Sequence, residues 1–484
     1  MVKRWGFLFH LVFLSLSVLA QPQSHFRDFV EDPSLKSAKM GMSFMYLDTG
    51  ESIFSYQSDK PIVPASSQKL LVTTTALAYF GPDFQFQTTI EYSGVLSENG
   101  VLKGDILIRG GGDPTLGSAQ MPHTRSLDDI LSLFANRIKD FGIRRIEGSV
   151  IVDASLYGEE AVPKDWSALD VGNYYGAGAW SLNIHDNLYF LDFERSSSSN
   201  VRTKVIETRP EIPSIRFNNQ VETAGPRTGD NAYIYGGAYV SNKTIKGSIP
   251  SGKGVFTIKG SLPNPPLLFG QLLTEELSSH GIHCLKSPFV LYDTAESGYG
   301  YTIFTYRSHK LSKILEYTNQ ESVNMYCESM LKALGAYFGG GGTYEEGIIV
   351  QKSFMDSLGI DISKIQIADA SGLSRKNELT ADVLVKILGY SLSGNKEENN
   401  VIYNSLAVCG QRGTLSKVFD ACPKGMNLRG KTGSMRGIRS LTGTFVDKNN
   451  REVLFSIMVN DYNCSGSQMW KKMENLLKNL YYSL

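Results

Sequence analysis

The sequence predicts an α+β protein of several domains, in which a helix-rich domain is interrupted by a β-rich block. Its 484 residues exceed what one ordinary core requires. Hydrophobic residues make up 42% and charged residues 20%, a balance typical of folded chains rather than disordered ones. Helical patterns near both ends flank a long polar, strand-forming stretch from about Asn187 to Lys259, the signature of a domain split by an insertion. The 24 Tyr, 24 Phe and 47 Gly add strand surface and turns. Lys plus Arg number 48 and Asp plus Glu 48, so no basic excess draws the chain to nucleic acid.

Lys3 and Arg4 precede the apolar run Trp5 to Leu19, and Val18-Leu19-Ala20 places small residues where a signal peptidase reads. Residues 1–20 are therefore expected to be a cleaved signal peptide, leaving no transmembrane anchor and an extracytoplasmic or periplasmic protein. An uncleaved anchor is disfavoured because the run is short and is weakened by His10, Ser15 and Ser17. Gly41 to Tyr56 reads as a hairpin turning at Asp48-Thr49-Gly50, and Ser66 to Phe80 as a helix closed by Gly81-Pro82. Strand patterns follow over Phe84 to Gly112 and Ile146 to Leu156. Gly110-Gly111-Gly112-Asp113-Pro114 reads as a turn between strands, and Gly339 to Gly342 as a helix exit lacking the Lys-Ser or Lys-Thr of a phosphate loop. Helix returns from Lys310 to Phe338. A hairpin over Thr442 to Asn460 leads into an amphipathic helix, Gln468 to Tyr482, whose Met469, Trp470, Met473, Leu476, Leu477 and Leu480 suit packing on a sheet better than a membrane surface. Of five cysteines, Cys409 and Cys422 are close enough to pair in an oxidising compartment.

Metal catalysis has little support, and no metal or other cofactor is expected. The seven histidines contain no His-Glu-x-x-His, and His280 with His283, Glu275, Glu276 and Cys284 is a poor zinc set. No Gly-x-Ser-x-Gly elbow marks a Ser-His-Asp hydrolase. A serine activated by a lysine remains. Ser66-Ser67-Gln68-Lys69 puts a hydroxyl and an amine on one face at a helix start, where backbone N–H groups favour developing negative charge. Ser329 to Lys332 and Ser393 to Lys396 share that spacing, so alone it is weak. Ser322-Val323-Asn324 lies in the helical stretch and Lys431-Thr432-Gly433-Ser434 near the final hairpin. Ser-x-x-Lys, Ser-x-Asn and Lys-Thr-Gly in this order form the motif set of penicillin-binding proteins and class A β-lactamases.

Three longer segments extend the match: Pro64-Ala65-Ser66-Ser67-Gln68-Lys69-Leu70, Gly110-Gly111-Gly112-Asp113-Pro114-Thr115-Leu116 and Asp369-Ala370-Ser371-Gly372-Leu373-Ser374-Arg375. With them the chain resembles the class C penicillin-binding proteins, the D-alanyl-D-alanine carboxypeptidase/endopeptidase family of serine peptidases. The resemblance implies a β-lactamase/transpeptidase-like domain, an antiparallel sheet flanked by helices, with nested β-rich insertions. It implies catalytic segments 21–86 and 300–484, a second domain over 87–188 and 257–299, and a third over 189–256.

It also implies that Ser66 attacks the carbonyl between two D-alanines while Lys69 accepts its proton, and that water later cleaves the acyl-enzyme. Lysine normally titrates near ~10.4, so Lys69 needs burial and a neighbouring cation, for which Lys431 is the candidate. Ser322 relays a proton to the leaving amine, and Asn324 holds Lys69 and the substrate amide. The N–H groups of Ser66 and Ser434 form an oxyanion hole, the Thr432 and Ser434 hydroxyls suit the terminal carboxylate, and Gly433 between them is substrate-binding too. By the same resemblance Asp170, with Arg375 and Met435, lines a pocket for the free amine of a diamino acid; read from its surroundings alone, Asp170 is equally a turn or cap residue. Arg436 is less typical of the family, Val323 stands where many relatives have Asp, and Ala370 stands where Gly is usual, which implies a slightly shifted loop. Peptidoglycan peptides are the implied partners and β-lactams the covalent inhibitors. The rivals are a β-lactamase and a non-catalytic peptidoglycan-binding envelope protein.

Overall fold

The computed structural model describes residues 22–293, 300–393 and 396–484. The expected signal peptide lies outside them. The chain divides into two compact parts: one comprises the described residues up to Pro82 with Leu315–Ser322 and Phe354–Leu484, the other Asp83–Ile314 with Val323–Ser353.

The first part is built on a six-stranded sheet in the order Ala407–Val408, Arg429–Met435, Ile438–Val446, Glu452–Asn460, Lys39–Tyr46, Ser52–Tyr56. Every neighbouring pair is antiparallel. Alternation along its strands decides what covers each face. Phe44, Phe445, Phe455 and Ile457 join a core with Phe26 of the helical stretch 22–30 and with Met469, Trp470, Met473, Leu477 and Leu480 of the helix Gly466–Ser483. The last helix thus packs on the sheet, its start fixed by a capping box between Ser465 and Gln468. On the opposite face the helix Ala381–Ser393 crosses Glu452–Asn460 and Lys39–Tyr46, with Leu454 against Gly389.

Two expected helices are interrupted. The stretch from Ser66 begins as a 3-10 turn, Ala65–Gln68, and becomes α-helical only from Lys69 to Phe80. Ala65 takes φ +48°, and the Ser67 hydroxyl bonds back to the Pro64 carbonyl at 2.7 Å, competing with regular helix. The stretch from Lys310 splits into Leu311–Glu321 and Asn324–Phe338, with Ser322 at φ +62° and Val323 extended between them. Periodicity sees the stretch from Lys310 as one helix because its break takes only two residues, Ser322 and Val323.

The second part is richer in helix than the sequence suggested. Leu127–Asp140 and Pro265–Ser279 pack together through Phe134 and Phe269, whose ring centres are 5.7 Å apart. They accompany a five-stranded sheet in the order Phe289–Leu291, Val150–Asp153, Ile106–Arg109, Gln87–Tyr92, Tyr301–Arg307. The expected β-rich stretch forms two three-stranded sheets, one of Lys204–Arg209, Leu188–Glu194 and Val255–Ser261, the other of Arg216–Ala224, Asn242–Pro250 and Asn231–Tyr235. The Gly110–Gly112 run is more than a turn: a Cβ on Gly111 would lie 2.0 Å from the Gln87 carbonyl, and one on Gly112 2.0 Å from the Tyr157 hydroxyl. Among the described residues no helix is long and apolar enough to cross a membrane.

Cys409 and Cys422 form a disulfide, while Cys284, Cys327 and Cys464 take part in no disulfide. Replacing both bridged cysteines by serine is expected to lower unfolding free energy by about 3 kcal/mol, read from denaturant melts, because the bridge closes a short loop in the unfolded chain. Gly372→Ala is expected to destabilise by at least roughly 1–2 kcal/mol in the same assay. Gly372 has φ +80°, and a Cβ there would sit 2.0 Å from the Ala65 carbonyl, so the loop and the turn bearing Ser66 cannot both keep their places.

Candidate active site

Ser66 is half-buried on the 3-10 turn, and Lys69 opens the following helix with its side chain fully buried. The Lys69 Nζ donates to Ser66 Oγ at 2.9 Å and to the Ser371 carbonyl at 2.6 Å. That carbonyl is aimed by the loop around it. The buried Asp369 carboxylate accepts the N–H groups of Gly372 at 2.7 Å and Ser374 at 2.6 Å and the Asn377 amide at 2.8 Å. Gln68 on the serine's own turn donates to the Asp369 carbonyl and to Asn377 Oδ1. Turn and loop are thus clamped together, and the amine is held between a hydroxyl and a carbonyl.

The strand Arg429–Met435 approaches the same turn. An ideal Cβ on Gly433 would lie 3.0 Å from the Ser66 nitrogen and 2.8 Å from the Pro64 carbonyl, so only glycine lets the two backbones meet. Ser440, directly opposite Gly433, bonds both Ser67 Oγ at 2.9 Å and the Pro64 carbonyl at 2.5 Å. Lys431 lies two residues before Gly433 and so on the same face of the strand. Its buried Nζ donates to Ser322 Oγ at 2.8 Å and to the Thr432 carbonyl at 3.0 Å. Ser322 is brought there by its left-handed backbone at the end of a helix that Asn319 fastens to Thr73 at 3.3 Å and Ser405 at 2.9 Å. A non-glycine residue in that conformation is uncommon and marks a position the surroundings enforce.

Thr432 donates to Thr414 Oγ1 at 2.6 Å, and Ser434 is exposed. The short strand Ala407–Val408 pairs only with Gly430 and Arg429, so among the described residues no strand covers the edge from Lys431 to Met435. Arg375 reaches the end of that strand, donating to the Arg436 carbonyl at 2.7 Å. The first part of the molecule therefore gathers Ser66, Lys69, Ser322, Lys431, Thr432, Gly433, Ser434, Met435 and Arg375. Two residues singled out from sequence, Asn324 and Asp170, belong to the second part.

Tyr175 connects that pair. Asn324 Nδ2 donates to the Tyr175 carbonyl at 2.8 Å, and the Tyr175 hydroxyl donates to Asp170 Oδ1 at 3.2 Å. Burial, then the Asp170 charge, holds the Tyr175 phenol well above its ordinary value, which keeps it a donor. Sequence reasoning gave Tyr175 no role. It also missed Asp369 as the organiser of the Ser371 carbonyl; the clue was an acid inside a Gly- and Ser-rich segment. Among the described residues no three His, Cys, Asp or Glu side chains are placed to hold a metal ion.

Similarity to known proteins extends along the chain. It is 26% identical over 445 residues to a D-alanyl-D-alanine carboxypeptidase of Actinomadura sp., covering 90% of this chain and 80% of that one. It is 22% identical to the D-alanyl-D-alanine carboxypeptidase DacB of Haemophilus influenzae, covering 93% and 91%. The crystal structure of penicillin-binding protein 4 from Haemophilus influenzae matches with a TM-score of 0.78 at 20% identity, over 94% of this chain and 99% of that one, which shows a shared fold. The family model described as D-Ala-D-Ala carboxypeptidase 3 (S13) matches residues 23–480, nearly everything after the expected leader. The chain belongs to that family.

Proposed function

We propose that the protein is an exported serine-type D-Ala-D-Ala carboxypeptidase or endopeptidase that acts on peptidoglycan stem peptides through an acyl-enzyme on Ser66 and is inhibited by β-lactams. The observation that carries this is the 2.9 Å contact between the Lys69 amine and the Ser66 hydroxyl. Lys69 takes the serine proton as Ser66 Oγ bonds to the carbonyl carbon of the penultimate D-alanine. The oxygen charge that develops is met by the N–H groups of Ser66 and Ser434, the first at the point where Gly433 abuts the turn. The carbon–nitrogen bond then breaks. Ser322, held by Lys431, relays to the leaving amine the proton that Lys69 took, and water, passing one of its protons through the freed Lys69 amine to Ser66 Oγ, then cleaves the ester and restores the serine.

The open edge from Lys431 to Met435 suits a substrate that adds as an extended strand, its terminal carboxylate near Thr432, Gly433 and Ser434. Asn324 takes the amide of the bound peptide. Asp170 takes the ammonium of the stem peptide's diamino acid; its bond from the Tyr175 hydroxyl supports this over a turn-cap role. The proposed catalytic segments are 21–86 and 300–484, except that Tyr301–Arg307 pairs with Gln87–Tyr92 in the second part's sheet; 87–188 with 257–299, and 189–256, are the proposed insertions.

Incubation with cell-wall muropeptides, read by mass, tests the reading. Wild type is expected to release terminal D-alanine or to cut D-alanyl cross-links, and Ser66→Ala is expected to fall by about a million-fold, to background. Lys69→Met should slow acylation by fluorescent penicillin by roughly 100- to 10,000-fold. Wild type should retain that label; rapid turnover of it, without muropeptide cleavage, would make the protein a β-lactamase. Asp170→Ala should raise KM for peptides bearing the free amine by about ten- to a hundredfold while leaving benzylpenicillin acylation unchanged. Equal losses on both substrates would refute the Asp170 assignment.

A further inference from the structure

The helix Asn324–Phe338 carries a second serine and lysine at three-residue spacing, Ser329 and Lys332, which the chemistry above does not use. The two are not partnered. Ser329 Oγ donates to Met325 Sδ at 3.5 Å and accepts from Asn183 Nδ2 at 3.3 Å. Lys332 Nζ instead donates to the Glu160 carbonyl at 2.5 Å and lies over the rings of Tyr157 and Tyr344, 5.3 and 4.9 Å from their centres. The side chain is fully buried, and burial pushes its amine down to about 7 against the opposing pull of the Glu160 and Glu328 carboxylates. An apolar side chain of similar volume would fill this space without that penalty. What the amine adds is its seat over the two rings and one directional hydrogen bond.

That bond falls at the base of a closed loop. Residues 162–178 leave and return at one point, where the Ala179 N–H donates to the Ala161 carbonyl at 2.8 Å. The Tyr344 hydroxyl donates to the same carbonyl at 2.9 Å, and Tyr157, just before the loop, donates to the Ser329 carbonyl at 2.9 Å. Near its far end the loop is tied again, by Asn324 to the Tyr175 carbonyl. Asn324 and Lys332 are eight residues apart on one helix, or about 12 Å along its axis, so a single rigid element holds the loop at two separated points. Asp170 lies between them.

We propose that Lys332 is a positioning residue for substrate selection: by holding the Glu160 carbonyl it fixes the base of the 162–178 loop and so aims Asp170 at the amine of the substrate. The kinetic part of this inference rests on the reading of Asp170 given above; the mechanical part does not. Lys332 touches no substrate, and its loss is felt as poorer recognition rather than slower chemistry.

The test combines hydrogen exchange on the intact chain with steady-state kinetics. In Lys332→Met the amides of 162–178 should exchange about tenfold or more faster, while those of Ile438–Val446 and Glu452–Asn460 keep their wild-type rates. KM for an amine-bearing stem peptide should rise about tenfold, with kcat and benzylpenicillin acylation within about twofold of wild type. Tyr344→Phe keeps the ring over Lys332 but removes the bond to the Ala161 carbonyl. It should move the same two readouts in the same direction, and it decides the matter if Lys332→Met does not fold. Unchanged exchange in the loop overturns the proposal, as does a loss of penicillin acylation equal to the loss on peptide. If Asp170→Ala leaves KM unaltered, the reading of Asp170 fails instead, and loop exchange alone still decides what Lys332 holds.

Discussion

A buried amine shared between the Ser66 hydroxyl and the Ser371 carbonyl is the contact on which the rest of the catalytic part depends. A lysine one turn from a serine is ordinary on a solvated helix, where water takes its charge and the hydroxyl stays inert. Removing the water changes the chemistry only if other polar groups stand where water stood. Here those groups come from a loop some three hundred residues away in sequence, whose shape is set by Asp369 accepting two backbone N–H groups and the Asn377 amide. Gln68 and Gly372 then press that loop against the serine's own turn.

Close approach has a conformational cost, and the backbone records where it falls. Ala65, immediately before the serine, and Ser322, which meets Lys431, are both non-glycine residues with φ near +50 to +60°. Each is over-determined by neighbours: the Pro64 carbonyl beside Ala65 accepts from both Ser67 and Ser440, and the helix before Ser322 is tied to Thr73 and Ser405. Strain concentrated at the two serines of the motif set, and held there by buried hydrogen bonds, is what a preorganised acyl-transfer site requires.

The Ser-x-Asn triplet divides between the two compact parts, with Ser322 in one and Asn324 in the other. Its second member begins a helix that bonds the Tyr175 carbonyl through Asn324 and the Glu160 carbonyl through Lys332. A buried lysine on that helix is easier to understand in this light. Apolar packing sets how closely two elements approach but leaves them free to slide, whereas a hydrogen bond to one carbonyl sets where they stop.

Much of this was legible without a structure. The order Ser66-x-x-Lys69, Ser322-x-Asn324, Lys431-Thr432-Gly433 named the chemistry, since those residue types at those spacings serve one kind of acyl transfer, and the family match over residues 23–480 agrees with it. Hydrophobic periodicity found the end hairpins and the final helix because burial on one face of a sheet leaves a repeating trace. It could not find the breaks at Ala65–Gln68 and Ser322–Val323, which are imposed by contacts with distant segments and leave no period. Nor could it separate Lys69 from Lys332, since both follow a serine by three residues and both are buried. What distinguishes them is what each amine meets beside a backbone carbonyl, the Ser66 hydroxyl for Lys69 and the faces of two aromatic rings for Lys332. Such partners are chosen by the path of the folded chain, because a hydrogen bond reaches about 3 Å and local sequence does not say which remote atom will come within it.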